Sequence, residues 1–222
     1  TCALPIWVGS VIDGRLNLGN NSCIETFCLP SKTNPGVMAE DYASIRAVVR
    51  EYNRLAGTSD TTLTPKDICD IADGKRPGNA AAARESFRLF GEAAGDAMAT
   101  AVTLTDSLIV VGGGLTGAAR YIMPGLLAQL RSTIHTINGE QLQRVQMSVF
   151  DLDDEAEFAR FVKGDARQLK VYGSDRTVTY DPMKRTGVII SKLGASKAIS
   201  IGAYTYALSQ IDKANQACGE EA

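Results

Sequence analysis

The segment Ser107-Leu-Ile-Val-Val-Gly-Gly-Gly-Leu-Thr-Gly-Ala118 holds the residues best suited to chemistry. Gly112, Gly113 and Gly114 lack Cβ atoms, so the main chain there can turn sharply and lie against a ligand. Before them, Leu108 to Val111 is an unbroken apolar run, which predicts a short strand covered on both faces. After them a helix is predicted over 118–133, whose first turn offers unpaired N–H groups and the positive end of the helix dipole. This unit can cradle a nucleotide, or it can be a plain strand–turn–helix junction. No Gly-Lys-Ser/Thr follows, so it is not a Walker loop. Nor is it the Gly-x-Gly-x-x-Gly of dinucleotide folds in its usual form. His135, the single histidine, stands near a predicted helix end and reads as structural.

The elements that position this segment follow from pattern. Val8 to Leu18 predicts a hairpin turning at Asp13-Gly14. Pro30 to Gly36 is loop, and a helix is predicted over 37–55. Thr64-Pro65-x-Asp67 is a helix start, with a capping hydroxyl, a proline at the first position and an acid in the first turn. The helix predicted over 79–104 carries Phe87, Phe90, Ala94, Ala97 and Ala101 on one stripe, at spacings of three and four. Gly91 and Gly95 on that helix admit a closely packed neighbour. Gln146 to Phe150 and Val188 to Ser191 read as strands, and Ser196 to Leu208 as a terminal helix rich in small residues. Tyr121, Met123, Tyr204 and Tyr206 read as core or interface.

Residues 151–187 have a different character. Asp151, Asp153, Asp154, Glu155 and Glu157 form an acidic helix start, and a mostly basic stretch follows. Leu169 to Tyr180 alternates about a Gly-Ser-Asp turn and reads as a β-hairpin. We read this region as a solvated surface insertion rather than an anion-binding or subunit-contact flap.

The chain has 222 residues, 45% hydrophobic and 22% charged, an ordinary globular composition. A net charge of -2 gives no general attraction to nucleic acid or an anionic membrane. No run reaches transmembrane length, and the N-terminus lacks the pattern of a signal peptide. Five scattered cysteines (Cys2, Cys23, Cys28, Cys69 and Cys218) fit a reducing cytoplasm better than a disulfide framework. Cys28 and Cys69 read as packed thiols.

Three pieces, in order, carry a resemblance. They are Cys23-Ile-Glu-Thr-Phe-Cys28, the glycine segment 112–114, and the terminal helix entered through Lys192-Leu-Gly-Ala-Ser196. Together they resemble the ROK family of sugar kinases and related repressors, over about residues 8–211. The resemblance implies an α/β fold of the actin-like, RNase H-like class. Its mixed sheet would carry helices on both faces, beside a helical segment and the β-hairpin insertion near 151–187. It implies adenosine binding at Gly112, Gly113, Gly114, Leu115 and Thr116, with ATP and magnesium as cofactors. It implies that Glu25 contacts a hexose, against the plainer reading of a surface carboxylate. A homo-oligomer in the cytoplasm is expected.

The chain departs from the family pattern in two places. Neither the family's Asp-x-Gly-Gly-Thr phosphate loop nor the catalytic Asp of its Asn-Asp pair occurs in the sequence. The chain therefore reads as the C-terminal portion of a kinase and is expected to be inactive alone. The alternative is a sugar-sensing repressor, or a non-catalytic sugar-binding relative. Nucleic acid would be a partner only through a separate DNA-binding module. The family's structural zinc also needs a Gly-His pair and three cysteines. Here Cys23 matches the last cysteine, but Asn17 and Gly19 stand near the two earlier cysteine positions, and Gly9-Ser10 replaces Gly-His. One ligand of four argues against zinc. Thr1-Cys-Ala-Leu-Pro-Ile6 translates ACGTGTGCTCTTCCGATC, which resembles the end of a sequencing adapter. Residues 1–7 are therefore read as an assembly artefact and left out of fold reasoning, with 8–222 as one domain.

Overall fold

The structure is a computed structural model that describes residues 8–23 and 28–220. The opening residues 1–7 and Glu25 lie outside the described residues. A hairpin of β1 (Ser10–Ile12) and β2 (Arg15–Asn17) comes first. Its turn residues Asp13 and Gly14 both have positive φ, 51° and 74°, as the expected tight turn requires.

Helix α1 runs over Ile45–Ala56, a shorter span than the 37–55 predicted from pattern. Met38 is extended and bridges Pro30, and Ala39–Asp41 is a 3-10 turn. The helix proper waits for Ser44, whose hydroxyl accepts the Ala47 N–H at 3.3 Å. Gly57, at φ 67°, ends it in the left-handed conformation. Helix α2 (Pro65–Ala72) starts as its sequence dictates. The Thr64 hydroxyl accepts the Asp67 N–H, and the Asp67 carboxylate accepts the Thr64 N–H at 2.9 Å.

Helix α3 (Ala80–Thr105) and helix α4 (Ala119–Leu130) form the spine. They cross on glycines. A Cβ on Gly95 would meet the Leu126 carbonyl oxygen at 2.5 Å, and a Cβ on Gly91 would lie 3.1 Å from the Leu126 nitrogen. Gly125 of α4 is pressed in the same way against the backbone of Arg88 and Glu92. The spine joins two apolar clusters. One holds Val48, Tyr52, Ile68, Ile71, Phe87 and Ile122 of the helical layer. The other packs Val102, Leu126 and Leu130 against Val145, Val149 and Val188 on the sheet side.

The central sheet has strand order β3 (Ile109–Val111), β9 (Arg185–Ile190), β6 (Ser148–Asp151), all parallel. Antiparallel pairing is confined to separate ribbons: β1–β2, β4 (Thr133–His135) with β5 (Gln141–Gln143), and β7 (Arg167–Lys170) with β8 (Thr177–Tyr180). Helices α3 and α4 cover one face of the sheet. Helix α5 (Glu155–Lys163) lies on the other, where Phe161 meets Phe150 edge-on at 5.8 Å. It covers β6 and does not reach β3. Leu108 and Val110 are therefore 55% and 65% exposed, contrary to the two-sided cover expected from their apolar run. Helix α6 (Ala195–Glu220) is largely exposed over residues 195–212, with Tyr204 and Tyr206 on its surface rather than in a core.

Candidate functional site

The glycine segment emerges where β3, α4 and the loop after β9 meet. Strand β3 ends at Val111, whose carbonyl accepts the Ser191 N–H at 2.8 Å. Gly112, Gly113 and Gly114 follow as exposed turn. Gly113 has φ 108°, a conformation that residues with a Cβ rarely adopt. Nothing among the described residues lies within 4 Å of a Cβ built on Gly113, Gly114 or Gly117, so the outer side of this backbone is open to a ligand. The inner side is held. The Thr116 hydroxyl donates to the Gly113 carbonyl at 2.9 Å, and the Thr116 N–H reaches the same oxygen at 3.3 Å. Leu115 packs against the helical layer. A 3-10 turn, Thr116–Ala118, leads into α4, which begins at Ala119 rather than at 118.

The five residues assigned from sequence to adenosine thus form one short loop. Glu25, the sugar candidate, is not among the described residues. Its neighbours in sequence, Cys23 and Cys28, are exposed, so Cys28 is not the packed thiol expected. It lies outside any helix or strand, two residues before Pro30. Cys69 does pack against the helical core. Ser10, in the Gly-His position of the zinc pattern, is a buried residue of β1, and Asn17 turns its side chain to the Gly19 N–H at 3.3 Å. His135 is exposed on β4.

One polar cluster beside the loop escapes sequence reasoning. Asp73, at the C-terminus of α2, accepts hydrogen bonds from Lys75 at 2.8 Å, from Arg120, and from the Tyr121 hydroxyl at 2.7 Å. These donors hold its carboxyl well below the usual carboxylate range, Lys75 first, then Arg120 and Tyr121. Lys75 is a neighbour of Asp73 in sequence, but Arg120 and Tyr121 lie 47 and 48 residues away, beyond any local signal.

Comparison with known proteins bears on the whole arrangement. The ROK family model matches residues 33–156, more than half of the chain. The chain belongs to the ROK family. A glucokinase from Parabacteroides distasonis is 46% identical over 90% of the chain, with a TM-score of 0.82. The chain spans 54% of the length of that glucokinase. A ROK family glucokinase from Streptomyces griseus, solved in complex with glucose and AMPPNP, is 23% identical over 55% of this chain and 46% of its own, with a TM-score of 0.46. Among curated proteins no match is found. The fold is accordingly the actin-like α/β fold of ROK sugar kinases, and the protein is sugar kinase-like. No helix among the described residues is long and apolar enough to cross a membrane.

Proposed function

We propose that the chain is the adenine-nucleotide-binding portion of an ATP-dependent hexose kinase. The observation that carries this is the 46% identity to a glucokinase across 90% of the chain. The open outer side of the glycine loop supports it, since a nucleotide held by main chain needs close backbone approach. In this reading Gly112, Gly113 and Gly114 lie against the adenosine, and Leu115 and Thr116 fix the turn from behind. Glu25 accepts hydrogen bonds from sugar hydroxyls, a role suited to a carboxylate with two acceptor oxygens.

The reaction passes the γ-phosphoryl group from ATP to a sugar hydroxyl. A new sugar O–P bond forms, ADP leaves, and a base takes the hydroxyl proton. Magnesium neutralises charge on the phosphates when bound. The described loop supplies position, not proton transfer. The general base and phosphate loop belong, in this proposal, to sequence outside these 222 residues, because neither motif occurs within them. The setting is the cytoplasm, and the working form a homo-oligomer.

Two measurements test the reading. The 222-residue chain alone, given ATP, magnesium and a hexose panel in a coupled assay, should read background. Turnover at ordinary kinase rates, about 1–100 per second, would overturn the division of labour. In the same chain joined to the missing motifs, Gly113→Val should weaken ATP more than sugar and Glu25→Gln the reverse. The glutamate effect should be roughly ten- to a hundredfold, the worth of a hydrogen bond to a charged group. Equal loss of both ligands in both variants refutes the assignment.

A further inference from the structure

Asp73 stands where the helical layer meets the glycine loop, on the side where Leu115 also packs. The 3-10 turn Thr116–Ala118 has no side-chain cap, and neither has α4. Nothing packs where a Gly117 side chain would be. Beyond its own backbone bonds and those of Thr116, the turn is held by Arg120, whose Nη1 donates to the Gly117 carbonyl at 3.2 Å. Arg120 is an odd choice for the first turn of a helix, because the positive end of the helix dipole disfavours a cation there. Its second nitrogen, Nη2, explains the choice by pairing with the Asp73 carboxylate. The guanidinium also lies over the Tyr121 ring at 4.7 Å, and the Tyr121 hydroxyl donates to the same Asp73 oxygen.

Asp73 is itself well anchored. Its side chain is only 12% exposed. Its N–H donates to the Cys69 carbonyl at 3.0 Å, and α2 behind it is seated by Ile68, Ile71 and Ala72, all buried. A line of contacts thus runs from the helical core through Asp73 and Arg120 to the carbonyl of Gly117.

We propose that Asp73, acting through Arg120, is a positioning residue for the nucleotide, fixing the turn that sets the backbone of Gly113 to Thr116 against the helical layer. The proposal rests on reading the glycine loop as the nucleotide cradle. A loop held before binding costs less to order when ligand arrives, and releasing it weakens binding without removing any ligand contact.

The test uses the full chain, with Asp73→Asn, Asp73→Glu and Arg120→Lys beside the wild type. AMPPNP affinity is measured by calorimetry, and amide hydrogen exchange is followed over residues 112–121. Asp73→Asn should raise the AMPPNP dissociation constant roughly five- to tenfold, the worth of about one hydrogen bond, and speed exchange at Thr116 and Ala118. Asp73→Glu should recover much of the loss. Arg120→Lys, which keeps the charge but cannot reach both acceptors, should behave like Asp73→Asn. Wild-type affinity and exchange in Asp73→Asn and Arg120→Lys would overturn the positioning role while leaving the cradle intact. No AMPPNP binding by the wild type would overturn the cradle, and the positioning role with it. No recovery with Asp73→Glu, together with a fall in melting temperature and faster exchange across α2 and α3, would mean a merely structural ion pair and also overturn the proposal.

Discussion

Replacing Gly125 by alanine sets two effects of opposite sign against each other. Helix propensity alone favours the change by about 1 kcal/mol, because glycine in a helix interior leaves more backbone entropy to lose. Packing opposes it. A Cβ on Gly125 would overlap the Arg88 carbonyl oxygen and lie 3.1 Å from the Glu92 nitrogen and 3.3 Å from the Arg88 carbonyl carbon. All three are backbone atoms of α3, so no rotamer change relieves the overlap and the helices must part. Overpacking of a tight core costs about 1–3 kcal/mol, and a contact with rigid backbone belongs at the upper end. The net is a loss of about 2 kcal/mol, or roughly 4–8 °C in melting temperature for a chain of this size. Thermal unfolding followed by far-UV circular dichroism measures it. Gly114→Ala is the control, since nothing lies within 4 Å of its Cβ. It should stay within about 0.5 kcal/mol of wild type. Gly125→Ala melting at or above wild type would refute the argument that glycine is there to let α3 and α4 touch.

Three further outcomes are expected. Thr64→Ala removes the hydroxyl that caps α2 and should cost about 1 kcal/mol in urea unfolding, with Thr64→Ser near wild type. Gly57→Ala places a Cβ at φ 67° and should cost about 1–2 kcal/mol, whereas Gly57→Asn should cost less. Stability should fall in acid. Asp73, bonded by Lys75, Arg120 and Tyr121, and Asp67, bonded by Thr64, have pKa values lowered in the fold. Their contribution is complete above about pH 5 and is lost as pH falls through the folded-state values. The urea midpoint of Asp73→Asn should therefore drop less between neutral pH and pH 3 than that of the wild type, and parallel drops would contradict this.

Local signals were legible wherever a few adjacent residues decide the outcome. Thr64-Pro65-x-Asp67 names its own helix start, and Asp13-Gly14 its own turn. Of the predicted stripe on α3, Phe87, Ala94 and Ala97 are buried, and Phe90 and Ala101 are half-buried. Where pattern misled, a nearby competitor had won. The start predicted for α1 at 37 gave way because Met38 pairs with Pro30 and Ser44 caps better. The ribbon β4–β5 does not stand out in the sequence although Asn138-Gly139, with Gly139 at φ 87°, is a strong hairpin turn, because strands of three residues are too short for their alternation to be distinctive. The apolar run of β3 says what the strand can be buried against, not whether α5 extends far enough to cover it.

The candidate site shows the same limit more sharply, because one residue type serves two purposes around it. Gly91, Gly95 and Gly125 are absent side chains that let backbones meet, and their environment is full. Gly113 and Gly114 are absent side chains with nothing beside them, and Gly113 also needs its positive φ. Spacing on a helix identified the packing role of Gly91 and Gly95. The open role of the loop glycines could be guessed from three in a row, but not the way they are held. That depends on Arg120 reaching back to Gly117 and across to Asp73, a contact between residues 47 apart that the packing of α2 and α4 on α3 brings within reach. The glycines that pack and the glycines that lie open are therefore coupled. If a side chain at Gly91 or Gly125 parts the two helices, α4 moves, and the first turn of α4 carries Arg120 and the end of the loop with it. Gly91→Ala should then loosen amide protection at Thr116 and Ala118 as well as lowering the melting temperature. Unchanged protection there, with lowered stability, would show that the loop is held independently of the spine.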